Sequence, residues 1–277
     1  MIGVRLHGGL GNQLFQYAAA RRLALHHSTE LVLNTRIVAG RSARSYVLGD
    51  LRINARVDRT GWATKDTLLH RRGPLRTLDV IGEDESDAHD PGRWLIELPD
   101  NVLLHGYWQK QQFFEEIRPT LLDEFRLAGT SPVASVPTGG PPIVAVHVRR
   151  GDYVSDPVVQ RKHGTLGLDY YERALEFVLA REPEARPWIF SDDPSWCREH
   201  LRLHPEQRII SDGSMSATAE LDLMRACRHH IMANSTFSWW GAWLARRDGQ
   251  VAVVPRQWFA DVDADEQGLV APGWVQL

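Results

Sequence analysis

The run Ile143-Val144-Ala145-Val146-His147-Val148 empties directly into Arg149-Arg150-Gly151-Asp152, and no other stretch narrows the choice of fold as much. A short, β-branched apolar run of this kind reads as a buried strand of an open α/β sheet. Ligands of such sheets bind beyond the carboxyl ends of the strands. Two adjacent guanidinium groups at that place suit the paired oxygens of a phosphate, so an anionic ligand is the first expectation. The alternative is a strand end carrying solvated charges, which the His-x-Arg-Arg-x-Asp order disfavours.

Strand and helix signals alternate after this point. Strands are predicted near Ile143 to Val148, Trp188 to Ser191, Arg208 to Ser211, His230 to Ala233 and Val251 to Val254, with helical patterns between them. In one of these, Leu168, Tyr171, Ala174, Leu175, Val178 and Leu179 recur at three- and four-residue spacing, a stripe that covers a sheet. The alternation predicts a doubly wound parallel sheet. Residues 129–142, dense in Pro, Gly, Ser and Thr and without periodicity, predict a linker. The expected domains are therefore 1–130 and 141–277, which suits a chain of 277 residues with 43% hydrophobic residues.

The first half opens in the same manner, with an apolar strand Ile2 to Leu6, the loop His7-Gly8-Gly9-Leu10-Gly11-Asn12, and a helix from about Gln13 to His26. Strand, glycine loop and helix form a phosphate-binding geometry. However, the dinucleotide fingerprint needs a third glycine where Leu14 stands, and no Lys-Ser/Thr pair marks a P-loop. A tight turn that packs helix on sheet remains an equal alternative. Residues 36–100 yield no detailed expectation.

Two further strand ends carry chemistry. Asn234-Ser235-Thr236-Phe237 follows a strand and opens a helix, where Asn, Ser and Thr are strong N-caps and also offer donors to a diphosphate. The tryptophans after it, Trp239, Trp240 and Trp243, read as core, with Gly241 permitting close helix packing. Phe190-Ser191-Asp192-Asp193-Pro194 ends another strand. Asp193 suits an N-cap before Pro194, which leaves Asp192 as the better ligand candidate, able to accept from a guanine edge or ribose hydroxyls, with a purely structural role as the equal alternative.

Charge and cysteine content exclude several classes. A formal charge of -3 with dispersed basic residues disfavours a nucleic-acid binder. Two cysteines, Cys197 and Cys227, support neither a disulfide framework nor a CxxC metal site. No run approaches the roughly 18 apolar residues of a membrane span, and the expected location is the cytoplasm, with at most peripheral attachment to a membrane.

Three segments together resemble glycosyltransferase family 11, the α-1,2-fucosyltransferases: His147-Val148-Arg149-Arg150-Gly151-Asp152, Gly9-Leu10-Gly11-Asn12-Gln13-Leu14-Phe15-Gln16-Tyr17-Ala18, and Asn234 to Leu244. Gly106-Tyr107-Trp108-Gln109 and Tyr170-Tyr171 extend the resemblance. It implies a GT-B-type α/β fold, two Rossmann-like domains facing each other across a cleft. The amino-terminal domain would bind the acceptor and the carboxy-terminal one GDP-β-L-fucose. The implied reaction is inverting transfer of L-fucose to the 2-hydroxyl of a terminal β-galactoside, without metal or other cofactor. Arg149 would hold the donor pyrophosphate, with Arg150 and Asp152 beside it as catalytic residues. His147, Asp192, Asn234, Ser235, Thr236 and Phe237 would contact the donor, and Gly11, Asn12, Gln13, Tyr107 and Gln109 would complete the substrate-binding set. A packed interdomain strand is the equal alternative for Tyr107 and Gln109.

Asp152 is the candidate base for the acceptor hydroxyl, although an aspartate there equally serves to orient the arginines, and a carboxylate tied to a guanidinium is a poor base. A base supplied by a phosphate oxygen or water stays open. The overlapping DxD patterns in Asp261-Val262-Asp263-Ala264-Asp265 suggest a metal, but their polar setting after Trp258-Phe259 reads as a solvated acidic loop. Adjacent His229 and His230 point to opposite faces of an extended chain and cannot share an ion. Competing readings are another GDP-sugar transferase of this fold and a carbohydrate-binding protein using some of the 10 tryptophans. A nucleotide hydrolase is disfavoured by the missing P-loop.

Overall fold

The computed structural model describes residues 1–38, 45–59, 78–86, 89–137, 139–260, 262–264 and 268–277. They divide into two compact units, Met1–Ala128 and Gly129–Leu277. The DxD residues Asp261 and Asp265 lie outside the described residues.

In the first unit, β1 (Ile2–Arg5) leads into α1 (Leu10–His26) and returns through β2 (Leu31–Asn34) to β3 (Arg56–Asp58). Then come β4 (Asp79–Gly82), α2 (Pro91–Glu97), β5 (Val102–His105) and α3 (Arg118–Glu124). The sheet has the order β3-β2-β1-β5-β4, and every pairing in it is parallel. Three of the short elements come from the stretch the sequence leaves unread, where short apolar pieces are separated by charge.

Helix α1 starts three residues earlier than expected, because the glycine loop is already helical at Leu10 and Gln13 N–H donates to the Gly9 carbonyl at 3.0 Å. Helix α2 is explained by its cap: Asp90 accepts from Arg93 N–H, and Pro91 occupies the first turn, where its missing N–H costs nothing. Behind α1 a buried carboxylate closes the unit. Glu124 takes both Nε and Nη2 of Arg21, at 2.9 and 2.7 Å, and the Tyr17 hydroxyl at 2.7 Å. Burial, with that bond to Glu124, pushes the Tyr17 hydroxyl far above the ordinary phenol range, so it stays a donor.

The second unit runs β6 (Ile143–Val148), α4 (Gly151–Ser155), α5 (Pro157–His163), α6 (Leu168–Leu179), β7 (Arg186–Ser191), α7 (Pro194–His200) and β8 (Arg208–Ile209). It continues through α8 (Ala217–Ala226), β9 (His229–Ile231), α9 (Thr236–Leu244), β10 (Ala252–Val254), the antiparallel pair β11 (Gln257–Phe259) and β12 (Val262–Asp263), and β13 (Val275–Gln276). The main sheet has the order β13-β10-β9-β6-β7-β8, again parallel throughout.

Alternation along β6 sorts its side chains between two cores. Val144, Val146 and Val148 pack with Tyr171, Ala174, Leu175 and Val178 of α6, the stripe expected from the sequence. Ile143 and Ala145 pack on the other face with Trp188, Phe190, Leu223 and Met224. His147 belongs by parity to that second face. There α8 and α9 pack closely because Gly241 is a glycine: a Cβ would run into the Met224 sulfur. Trp239, Trp240 and Trp243 are fully buried, and Trp239 donates to the Leu269 carbonyl at 2.7 Å.

The segment expected as an unstructured linker carries a 3₁₀ turn at Pro132–Ser135, and the Ser131 hydroxyl binds the Asp222 carboxylate of α8. Among the described residues no helix is long and apolar enough to cross a membrane.

Candidate functional site

In each unit the chain leaves the first strand toward one side of the sheet and later fills the other side. From β6 it moves outward to β7 and β8, then jumps back to β9 on the other side of β6. From β1 it moves to β2 and β3, and later elements return on the other side as β4 and β5. Loops diverge at such a reversal and leave a crevice at the carboxyl ends of the two central strands. Arg149 follows β6 and Asn234-Ser235 follows β9, so the two motifs singled out in the sequence meet at the second unit's crevice.

The arginine pair divides its labour. Arg149 is braced by two carboxylates, Nη2 to Asp152 Oδ1 at 2.5 Å and Nη1 to Asp192 Oδ2 at 2.7 Å. A guanidinium carries five N–H donors, so this clamp fixes its direction without exhausting it. Arg150 instead turns to α7, with its guanidinium carbon 3.9 Å from the centre of the Trp196 ring and Nε 3.3 Å from Asp193. Asp193 caps α7 through Trp196 N–H, the role expected of it. Asp192 accepts both from Arg149 and from the Arg150 backbone N–H at 2.9 Å. That close approach requires Gly151, where a Cβ would collide with the Asp192 carboxylate.

Across the crevice Ser235 caps α9, accepting from Phe237 N–H, and Thr236 is the first helical residue. Asn234 points inward: its amide donates to the His163 carbonyl at 2.8 Å and to that of Trp258 at 3.2 Å. The two sides are tied together, since Tyr153 donates to the Asn234 carbonyl at 3.0 Å and Tyr170 to that of Met232 at 2.7 Å.

His147 is buried, with its ring 5.4 Å from Phe237. Burial first, and the Arg149 charge second, lower its pKa to about 3, so it is a neutral imidazole at physiological pH. Its Nδ1 has no hydrogen-bond partner among the described residues. Glu220, in the first turn of α8, carries no motif and escapes sequence reasoning. Burial pushes its carboxyl above the usual range, a hydrogen bond to Ser211 opposes this, and nearby Asp212 and Asp192 add to it. A half-buried carboxylate with a raised pKa at the carboxyl edge of the sheet is a candidate ligand group.

The first unit's crevice has a different chemistry. Gln16 bridges its two sides, accepting from His7 N–H at 3.1 Å and donating to the Gly106 carbonyl at 3.2 Å. Gln13 holds the loops, donating to the carbonyls of Gly8 and Ser45 and accepting from Val47 N–H. Gly11 is buried in α1. Asn12 accepts from Gln109 Nε2 at 3.0 Å, and Glu83 accepts from the backbone N–H groups of Tyr107 and Gln109 at 2.6 and 3.2 Å. Tyr107 is left 43% exposed above this frame.

His229 and His230 are structural. His230 pairs with the Met224 carbonyl and Gln250, and His229 accepts from Val251 N–H at 3.0 Å. Among the described residues no group of three or more His, Cys, Asp or Glu is arranged to hold a metal ion.

A family model for glycosyl transferase family 11 matches residues 1–277. The O-antigen biosynthesis glycosyltransferase WbnK of Escherichia coli is 29% identical over 98% of this chain and 99% of its own length. An alpha-1,2-colitosyltransferase of the same species is 27% identical over 100% and 99%. The mouse galactoside 2-alpha-L-fucosyltransferase Sec1 is 27% identical over 90% of this chain and 65% of its own. Among solved structures, the fucosyltransferase NodZ from Bradyrhizobium superposes with a TM-score of 0.54 at 15% identity, covering 88% of this chain and 93% of that one, which shows a common fold.

Proposed function

The chain belongs to glycosyltransferase family 11, and from that premise we propose that it moves L-fucose from GDP-β-L-fucose, with inversion and without a metal, to the 2-hydroxyl of a terminal β-galactoside. The observation that carries this reading is Arg149, held by Asp152 and Asp192 at the mouth of β6 opposite the capped amino terminus of α9. Breaking the bond between sugar and diphosphate builds charge on GDP. A fixed guanidinium on one side and the N–H groups and dipole of α9 on the other are placed to stabilise that charge, the task a divalent cation performs elsewhere.

The remaining residues take consistent parts. Ser235 and Thr236 offer donors at the diphosphate, and Phe237 with neutral His147 lines the nucleotide side. With Asp192 engaged by Arg149, Glu220 is the carboxylate that reads the guanine edge, whose N1–H and N2–H groups both donate. Asn234 and Arg150 act as braces, through His163, Trp258, Trp196 and Asp193. Asp152 has two possible tasks, proton acceptor or brace of Arg149, and its 2.5 Å ion pair favours the brace. Asp152→Asn that keeps most activity, where Arg149→Ala loses it, separates them. Tyr107 and Gln109 face the acceptor, and the enzyme works in the cytoplasm, at most peripherally attached to a membrane.

The test is transfer from GDP-fucose to lactose and N-acetyllactosamine in excess EDTA, with the linkage read by NMR. A chelator-resistant α-1,2 product supports the reading; absence of product, or a metal requirement, refutes it. A second reading, in which the donor is GDP-colitose, is favoured by the colitosyltransferase similar over the full chain. Colitose is L-fucose without its 3-hydroxyl, so a donor panel decides between them.

A further inference from the structure

We infer that His7 and Tyr107 form the acceptor-sugar subsite of the first unit, with Tyr107 packing against the pyranose and His7 Nε2 accepting a hydrogen bond from one of its hydroxyls. This deepens the transferase reading above and rests on it for the identity of the sugar.

His7 is the first residue past the β1 strand end that faces the crevice, and its ring meets the Tyr107 ring edge-on at 4.4 Å and His105 at 5.7 Å. The Gly106 carbonyl bonds to the imidazole, while Nε2 is buried and has no partner among the described residues. The nearby Gly106 carbonyl favours the tautomer with N–H on Nδ1, in which Nε2 presents a lone pair. Burial, His105 and Arg5 hold the ring neutral, so that lone pair persists at physiological pH. A buried acceptor without a donor is costly, and the missing donor is one that a sugar hydroxyl supplies.

The segment that carries Tyr107 is fixed at its backbone and open at its side chain. Glu83 fixes the Tyr107 and Gln109 amides, and Trp108 between them is fully buried, stacked on Trp94 and held at φ +59°, a left-handed conformation that a bulky residue keeps only under constraint. The Tyr107 side chain, by contrast, projects outward. A pyranose entering between the two rings meets the Tyr107 face with its C–H groups, as aromatic side chains meet sugars, and brings a hydroxyl to Nε2. Glu83 is occupied by backbone, and burial lowers the pKa of both imidazoles, which keeps charge off the rings that an uncharged sugar would meet.

The experiment uses the full chain and lactose as probe. Saturation-transfer NMR reads lactose binding, calorimetry reads GDP-fucose binding, and rates are measured for His7→Ala, His7→Gln, Tyr107→Ala and Tyr107→Phe. His7→Ala and Tyr107→Ala are expected to lower kcat/KM for lactose about 10- to 100-fold and weaken the lactose signal. GDP-fucose binding, read by calorimetry in the same variants, reports that the second unit is intact. Tyr107→Phe, which keeps the ring, and His7→Gln, which keeps an acceptor atom, should recover most of the loss. Lactose kinetics within two-fold of wild type in both alanine variants, or no lactose signal from the wild type, overturns the subsite. Failure of wild type to bind GDP-fucose refutes the fucosyl-donor reading instead, and the lactose signal still decides the subsite.

Discussion

The two units use the same architecture and opposite chemistry. Each is a parallel sheet read where its strand order reverses, between β1 and β5 in one and between β6 and β9 in the other. At the second reversal stand Arg149, Asp152 and Asp192, a charged clamp. At the first stand neutral imidazoles, a tyrosine face and the paired amides of Asn12 and Gln109. Sheet topology thus decides where a ligand binds, and a few side chains past the strand ends decide what it is.

The largest test of this contrast removes the charge. Arg149→Ala should reduce kcat by about 10²- to 10³-fold with little change in thermal stability, because the side chain lies at the crevice and not in the core. Arg149→Lys should recover only part of it, since an ammonium cannot be gripped by two carboxylates in one plane. Loss confined to KM would assign Arg149 to ground-state binding and weaken its catalytic role.

Next in size is Gly151→Ala. Its Cβ displaces the Asp192 carboxylate and slackens Arg149 without touching a substrate. A fall of roughly 10- to 100-fold in kcat/KM is expected, with unchanged kinetics counting against Asp192 as the brace.

A smaller effect concerns pH and stability. His147 and His230 each have a pKa lowered to about 3 by burial, whereas the unfolded chain protonates histidine near pH 6.5. Their contribution to stability is thus present above about pH 6.5 and is lost as pH falls toward 3, at up to about 1.4 kcal/mol per pH unit for each. Denaturant melts between pH 7 and 5 should show this decline, and His147→Gln should flatten it. A pH-independent midpoint would mean that His147 is not held neutral by burial.

The smallest effect sharpens the contrast directly. Exposed charge interactions are screened as the Debye length falls from about 10 Å at 0.1 M salt to about 3 Å at 1 M. Added salt should therefore raise KM for GDP-fucose a few-fold and leave KM for lactose unchanged. Equal sensitivity of both would erase the distinction between the crevices.

Most of what positions Arg149 and the amino terminus of α9 is visible in the chain itself, because it is written in local signals. The β6 run, the stripe of α6, and the caps at Asp193 and Ser235 each depend on residues a few places apart. What stays hidden depends on distance. Nothing near Glu220 announces that it will lie beside Ser211 and Asp192, and nothing in Arg149-Arg150 says that one guanidinium faces the crevice while the other stacks on Trp196. Asn234 reads as a ligand contact until its amide is found bonded to carbonyls 71 and 24 residues away. In the first unit, β3 and β4 are only 3 and 4 residues long, too short for a period to show.

Calorimetric titration of GDP-fucose in EDTA into wild type and Arg149→Ala asks whether Arg149 is the metal-free anchor of a GDP-sugar. Binding by the wild type and at least a ten-fold weaker affinity in the variant are expected, with both proteins equally folded. Equal affinities, or binding that appears only when a divalent cation is restored, would contradict that role.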